Sequence, residues 1–569
     1  MVQKLYDEWL NKIKNEELLK ELIEIKGNQE EINDRFYKSL QFGTAGLRGI
    51  IGAGTNRMNI YTVGHATQGL ADYVNSVNKN GSVAIAYDCR IKSYEFAKTT
   101  AEVFAANGVK VYIYKELMPT PMLSFAVRHL KCDAGVVITA SHNPSKYNGY
   151  KAYGSDGSQL GLKESAYVTD IIEKVDIFTG VKKVDFDKAL SEGIIEYIGD
   201  DVIEAYLDAV QAQSVSDSTY DFKNLHVIYT PLHGTGNKPV RAILKRIGVN
   251  NVTVVPEQEK PDGRFPTLPF PNPEFKEAFD CALKVAEKTP ADLLLATDPD
   301  SDRVGIALFD KGEYKLISGN QMGALLMNYL LERKTELGIL PKNPIAVKTI
   351  VSTKLCYPIC EKYGCKLIDV LTGFKFIGGE ILKLENIGEQ ERFIFGFEES
   401  YGYLAGGYVR DKDAVVGSML ICEMVCYYKA KGLTILDVLN NLYKEFGYCF
   451  DMQRSITCEG QSGMQDMQNA MARLKSEYPS EIAGKKVVTV KDYSAQISTD
   501  ITTGKTSKID LPASEVLAYE LEDKSSVTIR PSGTEPKIKI YVSAIKKDEQ
   551  TAKAYAQELV KGGIEILGL

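Results

Sequence analysis

The chain has 569 residues with 68 Lys and Arg against 75 Asp and Glu, which gives a formal net charge of −7 at pH 7. The composition, 44% hydrophobic and 25% charged, is typical of a soluble globular protein and excludes a disordered or collagen-like chain. The acidic balance argues against binding to nucleic acid, which needs clustered Lys and Arg. At roughly 150 residues per domain, the length predicts about four domains.

The N-terminal segment alternates charged residues with Leu and Ile at helical spacing, which predicts a helical extension. It lacks the apolar core of a signal peptide, and no run of eighteen apolar residues follows, so we expect no membrane span. Ten cysteines in so long a chain indicate reduced thiols and a cytoplasmic protein. No His neighbours the best-spaced cysteines, which favours core packing over a metal site at Cys356, Cys360, Cys365, Cys422 and Cys426.

A strand–helix–strand unit occurs three times along the chain. In each unit a β-branched run leads into a helical stretch, which ends at a glycine before the next strand. The units span residues 82–114, 225–255 and 344–370. The closing glycines are Gly108, Gly248 and Gly364.

Each unit is followed by one more apolar strand that ends in a polar loop. The three segments read DAGVVITASHNP, ADLLLATDPDSDR and RFIFGFEESYG. Alternating strands and helices predict α/β domains with largely parallel sheets, whose ligands bind beyond the carboxyl ends of the strands. We therefore expect the three loops to face a common cleft.

The C-terminal part differs, because strands bunch together before a final helix. The runs VLAYELED, SSVTIRPSG and KIKIYVSAI follow one another closely, which predicts a small α+β domain. The predicted domains are residues 1–210, 211–320, 321–450 and 451–569, with the helical extension in the first.

The first loop, TASHNP, presents Ser141 and His142 just after a buried strand. A Ser-His-Asp hydrolase draws its base from a distant part of the sequence, and no GxSxG elbow is present. A turn or helix cap would use the same residue types, so the pattern alone leaves a hydroxyl nucleophile and a cap equally open.

The second loop, DPDSDR, places Asp298, Asp300 and Asp302 at alternate positions. Alternate residues of an extended chain share a face, and three carboxylates on one face call for a cation such as Mg²⁺. An EF-hand would need Gly and Glu where Arg303 and Phe309 stand, so that loop type is rejected. An acidic turn without metal is the alternative.

The third loop, GFEES, offers Glu398 and Ser400, which suit hydrogen bonds to sugar hydroxyls or a capping box. A fourth motif, RPSGTEP, lies between two strands of the last domain. Its Arg and hydroxyl groups favour anion binding over a plain hairpin turn. The candidate residues in it are Arg530, Ser532, Gly533 and Thr534. A nucleophile, a cation site, residues that bind sugar hydroxyls and a separate phosphate-binding loop (the phosphate grip) together indicate phosphoryl transfer on a sugar phosphate.

With FGTAGLRG at residues 42–49, these motifs stand in an order that resembles the α-D-phosphohexomutase superfamily over nearly the whole chain. The longer details PLHGTG and PDGRFP are similar to its phosphoglucomutase/phosphopentomutase branch. The resemblance implies three related mixed α/β domains and a C-terminal α+β domain around a central cleft, with a hinge near residue 450.

The resemblance also implies roles for individual residues. Ser141 matches the nucleophile, carried as phosphoserine, and its phosphate oxygen would complete a Mg²⁺ site with Asp298, Asp300 and Asp302. Glu398 and Ser400 match sugar-binding positions, and the RPSGTEP residues match the grip on the distant phosphate. The positions matching those around the transferring phosphoryl group are Arg48, His142, Arg303 and Lys375. Either Lys375 or His142 is the candidate general acid/base.

The expected reaction interconverts glucose 1-phosphate and glucose 6-phosphate through phosphoserine and a glucose 1,6-bisphosphate intermediate. Phe397 and the loop PTLPFPNPE depart from relatives and leave the sugar open, so phosphopentomutase and phosphomannomutase activities are alternatives. A non-catalytic sugar-phosphate binding protein and a metal-dependent phosphatase are hypotheses of other classes. Monomer and homodimer are both compatible with the sequence, and no membrane partner is expected.

Overall fold

The computed structural model describes residues 2–43, 46–458, 460–532 and 537–568. The chain divides into two compact units. The first contains Met1–Gly319 and Ile377–Ala430, and the second contains Asn320–Phe376 and Lys431–Leu569.

The N-terminal extension forms three short helices, α1 (Val2–Lys12), α2 (Glu16–Glu24) and α3 (Gln29–Phe36). Asn15 and Asn28 cap α2 and α3, because each side chain accepts a hydrogen bond from a backbone amide of the first turn. The apolar faces meet in a cluster that we call the extension core. Its buried members are Tyr6, Trp9, Ile13, Leu18, Leu22, Ile32, Phe36 and Ala53.

The first repeat contains a six-stranded sheet flanked by helices. Its elements are β1 (Gly46–Ile50), α4 (Ile60–Val77), β2 (Ser82–Tyr87), α5 (Ser93–Ala106), β3 (Lys110–Tyr114), α6 (Thr120–His129), β4 (Ala134–Ile138), β5 (Tyr147–Gly154), α7 (Leu162–Ile172), α8 (Phe186–Ser191), β6 (Ile195–Ile198) and α9 (Asp200–Gln211). The strand order is β1-β5-β4-β2-β3-β6. Strands β4, β2, β3 and β6 run parallel; at one edge β5 pairs antiparallel with β4, and β1 pairs antiparallel with β5.

The second repeat follows the same plan with a five-stranded sheet of order β11-β10-β9-β7-β8. Its elements are β7 (His226–Thr230), α10 (Asn237–Arg246), β8 (Asn251–Val254), α11 (Pro256–Glu259), α12 (Asp280–Lys288), β9 (Leu293–Thr297), β10 (Val304–Asp310) and β11 (Glu313–Ile317). Strand β7 pairs in parallel with β8 and β9, whereas β10 returns antiparallel to β9. The predicted mixed α/β sheets are confirmed, with antiparallel strands added where the chain folds straight back after each polar loop.

The third repeat is distributed over both units. Its elements are α13 (Gly319–Glu336), β12 (Ile345–Thr349), α14 (Cys356–Lys362), β13 (Lys366–Val370), α15 (Phe374–Asn386), β14 (Phe393–Glu398), β15 (Gly402–Ala405) and α16 (Ala414–Ala430). In the second unit β12 and β13 are parallel, and in the first unit β14 and β15 form an antiparallel pair. Short 3₁₀ turns occur at Phe222–Asn224, Lys276–Phe279 and Gln390–Arg392.

The C-terminal part is an antiparallel sheet packed against helices. Its elements are α17 (Ile435–Phe446), β16 (Tyr448–Thr457), α18 (Gly460–Ser476), β17 (Glu481–Ile482), β18 (Lys485–Asp492), β19 (Ile497–Asp500), β20 (Thr506–Lys508), β21 (Leu517–Leu521), β22 (Ser526–Pro531), β23 (Lys537–Lys546) and α19 (Glu549–Leu567). The main strand order is β16-β23-β22-β21-β18-β19-β20. Its buried face includes Tyr519, Val527 and Ile540, which pack with Leu559 of α19.

The three predicted strand–helix–strand units are confirmed. The closing glycines Gly108, Gly248 and Gly364 all have positive φ, of 76°, 97° and 62°. Glycine adopts this left-handed conformation without the steric cost that a side chain would add, so it ends the helix and turns the chain into the next strand.

All ten cysteines are free thiols, in agreement with the sequence. The five cysteines that were weighed as metal ligands are all buried: Cys356, Cys360, Cys365, Cys422 and Cys426. Across the described ranges, no helix combines the length and apolar character that crossing a membrane requires.

Candidate active site

Ser141 lies on an irregular loop that begins where β4 ends. Its φ of 50° is left-handed, an uncommon conformation for a residue with a side chain. The backbone amide of Ser141 donates to the Thr139 hydroxyl at 2.8 Å. The Ser141 hydroxyl donates to Oδ2 of Asp298 at 2.7 Å and lies 3.1 Å from Nδ1 of His142. The first and second predicted loops therefore meet at the candidate nucleophile.

The Ser141 loop closes around a buried guanidinium that sequence reasoning missed. Nη1 of Arg90 donates to the carbonyls of Pro144 and Tyr147, and Nη2 donates to those of Ser141 and Asn143. Arg90 follows β2 in the run YDCR, where nothing marks it as a loop anchor.

Asp298, Asp300 and Asp302 come together at the end of β9. The prediction that they line one face of an extended chain is wrong in its geometry, since the segment turns and Ser301 has a φ of 51°. The turn is closed by the Asp298 carboxylate, whose Oδ1 accepts from the amides of Asp302 at 3.1 Å and Arg303 at 3.0 Å. One oxygen from each carboxylate lies within 4.8 Å of the others.

The donor set fits a hard divalent cation. Oδ1 of Asp300 and Oδ1 of Asp302 are buried and have no hydrogen-bond partner in the described part of the chain. Buried carboxylate oxygens without donors are costly unless a cation neutralises them, and oxygen ligands suit Mg²⁺. Among the described residues, this is the group of three or more acidic, His or Cys side chains with metal-ligand spacing.

Two lysines that sequence reasoning missed contact the carboxylates. Nζ of Lys151, on β5, lies 2.8 Å from Oδ2 of Asp300 and 3.5 Å from Oδ2 of Asp302. Nζ of Lys412 lies 3.0 Å from the same oxygen of Asp302. Burial opposes charging, but the carboxylates outweigh it and raise the pKa of both lysines.

The position of Lys412 is fixed by its neighbours. Its Nζ also bonds Oδ1 of Asp411 at 3.0 Å, while Oδ2 of Asp411 accepts from the Tyr153 hydroxyl at 2.7 Å. Gly402 leaves room for the lysine stem, because a Cβ there would lie 2.1 Å from Cδ of Lys412.

The carboxylates of Asp298 and Asp300 have opposite pKa shifts. Burial, followed by the charges of Asp300 and Asp302, raises the pKa of Asp298 well above its usual range. Burial also disfavours the charged form of Asp300, yet Lys151 outweighs that effect and lowers its pKa. The Thr120 hydroxyl adds a hydrogen bond to Oδ2 of Asp300 at 2.9 Å.

Three further predicted residues lie on the first two loops or bond to them: His142 and Arg303 are members of these loops, and Arg48 bonds Asn143 of the first. Nη1 of Arg303 donates to Oε1 of Glu274 at 2.6 Å; despite burial, Glu274 and the nearby aspartates raise its pKa. Burial, then the charge of Arg303, lowers the pKa of His142 well below its usual value. Arg48 is exposed on β1, and its Nη1 donates to Oδ1 of Asn143 at 3.3 Å.

The third loop contributes a carboxylate to the same unit. Glu398 is the buried last residue of β14, and its charge adds to that of the nearby aspartates, which outweigh burial and raise the pKa of both Arg303 and Lys412. Ser400 is half-buried in the turn that follows. The structure therefore brings Glu398 near the cations that surround the aspartates.

The remaining predicted residues belong to the second unit. Lys375 is the second residue of α15; its Nζ is buried without a hydrogen-bond partner in the described ranges, and burial lowers its pKa. Arg530 lies on β22 opposite Lys539 of β23, and the amide of Ser532 donates to the Lys537 carbonyl at 2.8 Å. Gly533 and Thr534 fall outside the described residues.

Domain models of known proteins match most of the chain. Four domain models described as phosphoglucomutase/phosphomannomutase, α/β/α domains I, II and III and C-terminal domain, match residues 39–177, 204–311, 318–446 and 474–562. The predicted domain boundaries after residues 210, 320 and 450 stay predictions.

The chain is 39% identical to a phosphoglucomutase of Staphylococcus aureus strain MRSA252 over 94% of both chains. It is 36% identical to the phosphoglucomutase of Staphylococcus saprophyticus over 94% of this chain and 95% of the relative. The fold resembles the open-form crystal structure of pp63/parafusin, a phosphoglucomutase from Paramecium. That likeness has a TM-score of 0.66 at 16% identity and covers 93% of this chain and 96% of the other.

Proposed function

This chain belongs to the phosphoglucomutase/phosphomannomutase family, and we propose that it is a mutase interconverting glucose 1-phosphate and glucose 6-phosphate. The observation that carries the proposal is the 2.7 Å hydrogen bond from the Ser141 hydroxyl to Oδ2 of Asp298. It joins the hydroxyl of the proposed nucleophile to a cluster of three carboxylates, which supports a divalent-cation site there.

In the proposed cycle phosphorylated Ser141 transfers its phosphoryl group to the free hydroxyl of a glucose monophosphate. The P–Oγ bond breaks and a bond from phosphorus to the sugar oxygen forms, while the sugar hydroxyl gives up its proton and the Ser141 oxygen takes one up, so the product is glucose 1,6-bisphosphate. The bisphosphate then returns its other phosphoryl group to Ser141 and leaves as the isomer. Each half of the cycle is the reverse of the other in chemistry, so no water or external phosphate is consumed.

The aspartates Asp298, Asp300 and Asp302 would hold Mg²⁺, which when bound neutralises charge on the phosphoryl oxygens. Arg303 is held by Glu274 at 2.6 Å, and its fixed guanidinium would bind an oxygen of the transferring group. Lys151 and Lys412 stay charged because of their carboxylate contacts, and their charges would help to stabilise the same group.

His142 is the better-supported proton carrier at the Ser141 oxygen. Its Nδ1 lies 3.1 Å from that oxygen, and its lowered pKa keeps the ring neutral at physiological pH. Lys375 is proposed for the sugar hydroxyl, since burial lowers the pKa of its amine. Glu398 and Ser400 would bind sugar hydroxyls.

The grip on the non-reacting phosphate is proposed at Arg530, Ser532, Gly533 and Thr534. Arg530 is fixed on β22 within an antiparallel sheet, so its guanidinium is presented by a rigid element. A single grip must accept either end of the sugar, because both isomers place their unreactive phosphate there.

The decisive experiment follows the nucleophile. Purified protein incubated with glucose 1,6-bisphosphate and Mg²⁺ should gain one phosphate, mapped to the peptide that contains TASHNP. Ser141→Ala should lose both the phosphate and the interconversion of glucose phosphates while keeping its fold. Ser145→Ala, a change in the same loop, is the matched control and should keep both.

The alternatives give different results in the same assays. Release of inorganic phosphate at the rate of substrate loss would indicate a phosphatase, and binding without turnover would indicate a sugar-phosphate binding protein. A panel of glucose, mannose and ribose phosphates would rank the sugars, and chelation followed by Mg²⁺ would test the cation. Retained turnover in Ser141→Ala would place the nucleophile elsewhere.

A further inference from the structure

The Ser141 loop depends on one side chain for much of its shape. Residues 139–146 form no strand or helix, and the loop holds Ser141 in a left-handed conformation, with a φ of 50°. Left-handed backbone in a residue with a side chain persists only where the surroundings enforce it. The surroundings here include the Arg90 guanidinium and its four carbonyl partners, spread from Ser141 to Tyr147.

Arg90 is well suited to this task. Its side chain is fully buried, and its planar fork directs the Nη hydrogens to fixed points. Nε of Arg90 lies 3.4 Å from Oδ2 of Asp88, so the carboxylate of Asp88 compensates the buried charge of the guanidinium. Hydrogen bonds from a buried charged donor are stronger than neutral ones.

Arg90 also contacts the second repeat, which carries the aspartates. Its guanidinium lies over the Phe265 ring, 4.9 Å from the centroid. The neighbouring Gly263 packs directly on the Arg90 backbone, because a Cβ there would lie 2.5 Å from the Ile91 nitrogen and 2.6 Å from the Cys89 carbonyl oxygen. The loop PDGRFP is thereby fitted against the turn that begins with Arg90.

We propose that Arg90 is a positioning residue that holds the Ser141 hydroxyl in register with Asp298. The inference rests on the proposed role of Ser141 as the nucleophile. Arg90 bonds the loop of the nucleophile and stacks on the repeat of the metal ligands, so it sets the distance between the two. It touches neither the hydroxyl nor the substrate, and it acts through the backbone of residues 141–147.

The test compares Arg90→Lys with wild type. Lysine keeps the charge but cannot reproduce a fork that bonds four carbonyls. We expect the phosphorylation of Ser141 by glucose 1,6-bisphosphate, followed by intact mass, to slow by about 10²-fold, the loss typical of a small misplacement of reacting groups. KM should change little, since no substrate contact is removed. Amide hydrogen exchange in the 139–147 peptide should become faster.

Arg57→Lys is the matched control. Arg57 is also buried and its Nη1 also bonds carbonyl oxygens, those of Asp34 and Asn56, but its partners lie outside the Ser141 loop. This variant should phosphorylate Ser141 at the wild-type rate and leave exchange in residues 139–147 unchanged. Arg90→Ala with added guanidinium is a second probe, because the free cation fits the space and should restore part of the rate.

The results for the two variants decide whether Arg90 positions the Ser141 loop. Wild-type exchange and phosphorylation rates in Arg90→Lys would overturn the inference, and so would an equal loss in Arg57→Lys. If wild-type protein itself never gains phosphate on Ser141, the proposed function fails. The exchange experiment then still decides whether Arg90 orders the loop, since it needs no chemistry.

Discussion

Replacing Lys151 by Met tests whether the buried aspartates depend on lysine for their charge balance. Lys151 is a close partner of Asp300, at 2.8 Å, and its side chain is only 19% exposed. Methionine preserves most of the volume but removes the charge, so the aspartates lose one of the cations that compensate their burial.

The magnitude follows from the contacts. Removing one partner of a buried ion pair costs about 3–5 kcal/mol, because the remaining charge is left uncompensated. Lys412 still contacts Asp302 at 3.0 Å, and the Thr120 hydroxyl still bonds Asp300. We therefore expect Lys151→Met to lower the free energy of unfolding by about 3 kcal/mol in a chelator, at the low end of that range.

Magnesium should reverse most of this loss. A positive side chain beside a cation site repels the ion, so its removal should tighten binding, and tighter binding raises stability by mass action. The assay is urea unfolding followed by circular dichroism, with chelator and with saturating Mg²⁺. The gain from Mg²⁺ should be larger in Lys151→Met than in wild type.

Lys429→Met is the control for losing a lysine. Its Nζ pairs with Asp292 at 2.9 Å, but the two side chains are 57% and 32% exposed. Such a pair contributes about 1 kcal/mol or less, with no dependence on Mg²⁺. Equal losses in the two variants, or equal gains from Mg²⁺ in Lys151→Met and wild type, would refute the assignment of this cluster as a cation site balanced by Lys151.

Three further changes test other parts of the site. Asp300→Asn should lower kcat far more than it raises KM in a coupled assay, because the bound cation acts on the transition state; a raised KM with unchanged kcat would count against it. Arg530→Ala should weaken calorimetric binding of both glucose phosphates by roughly 1.5–3 kcal/mol, the value of a charged hydrogen bond, and equal affinities would contradict the phosphate grip. The lowered pKa of His142 means that the unfolded chain takes up a proton there before the folded protein does, so stability should fall as the pH drops below about 6.5. His142→Gln should flatten this loss in urea unfolding between pH 7.5 and 5.5, and an unchanged slope would show that other groups cause it.

The three repeats could be predicted from the sequence because local residue patterns specify them. Each β-branched run, helical stretch and closing glycine, such as Gly108 or Gly248, is specified within about thirty residues. The polar loops follow directly after the strands, so the sequence alone predicts that the loops of Ser141 and Asp298 face the same cleft. The strands from Lys485 to Lys508 carry a weaker alternation and were not predicted.

The side chains that complete the site left no such signal. Lys151 and Lys412 are separated by more than a hundred residues from Asp300 and Asp302, and each lies in a run typical of an ordinary strand or helix start. Arg90 bonds backbone carbonyls, which are the same in every residue. The left-handed conformation of Ser301 explains why the predicted extended geometry of the three aspartates is wrong, because a turn of this kind brings alternate residues together without an extended strand.

The extension core contains the single tryptophan of the chain, which makes it an intrinsic optical reporter. Trp9 is 1% exposed and meets the edges of Phe36, Tyr61 and Phe178 at centroid distances of 5.8, 5.9 and 5.5 Å. Phe36 belongs to the extension, whereas Tyr61 is the second residue of α4 in the first repeat. Emission from Trp9 should shift to longer wavelength as soon as the extension leaves that helix. Trp9 fluorescence therefore reports the separation of the N-terminal helices from the first repeat.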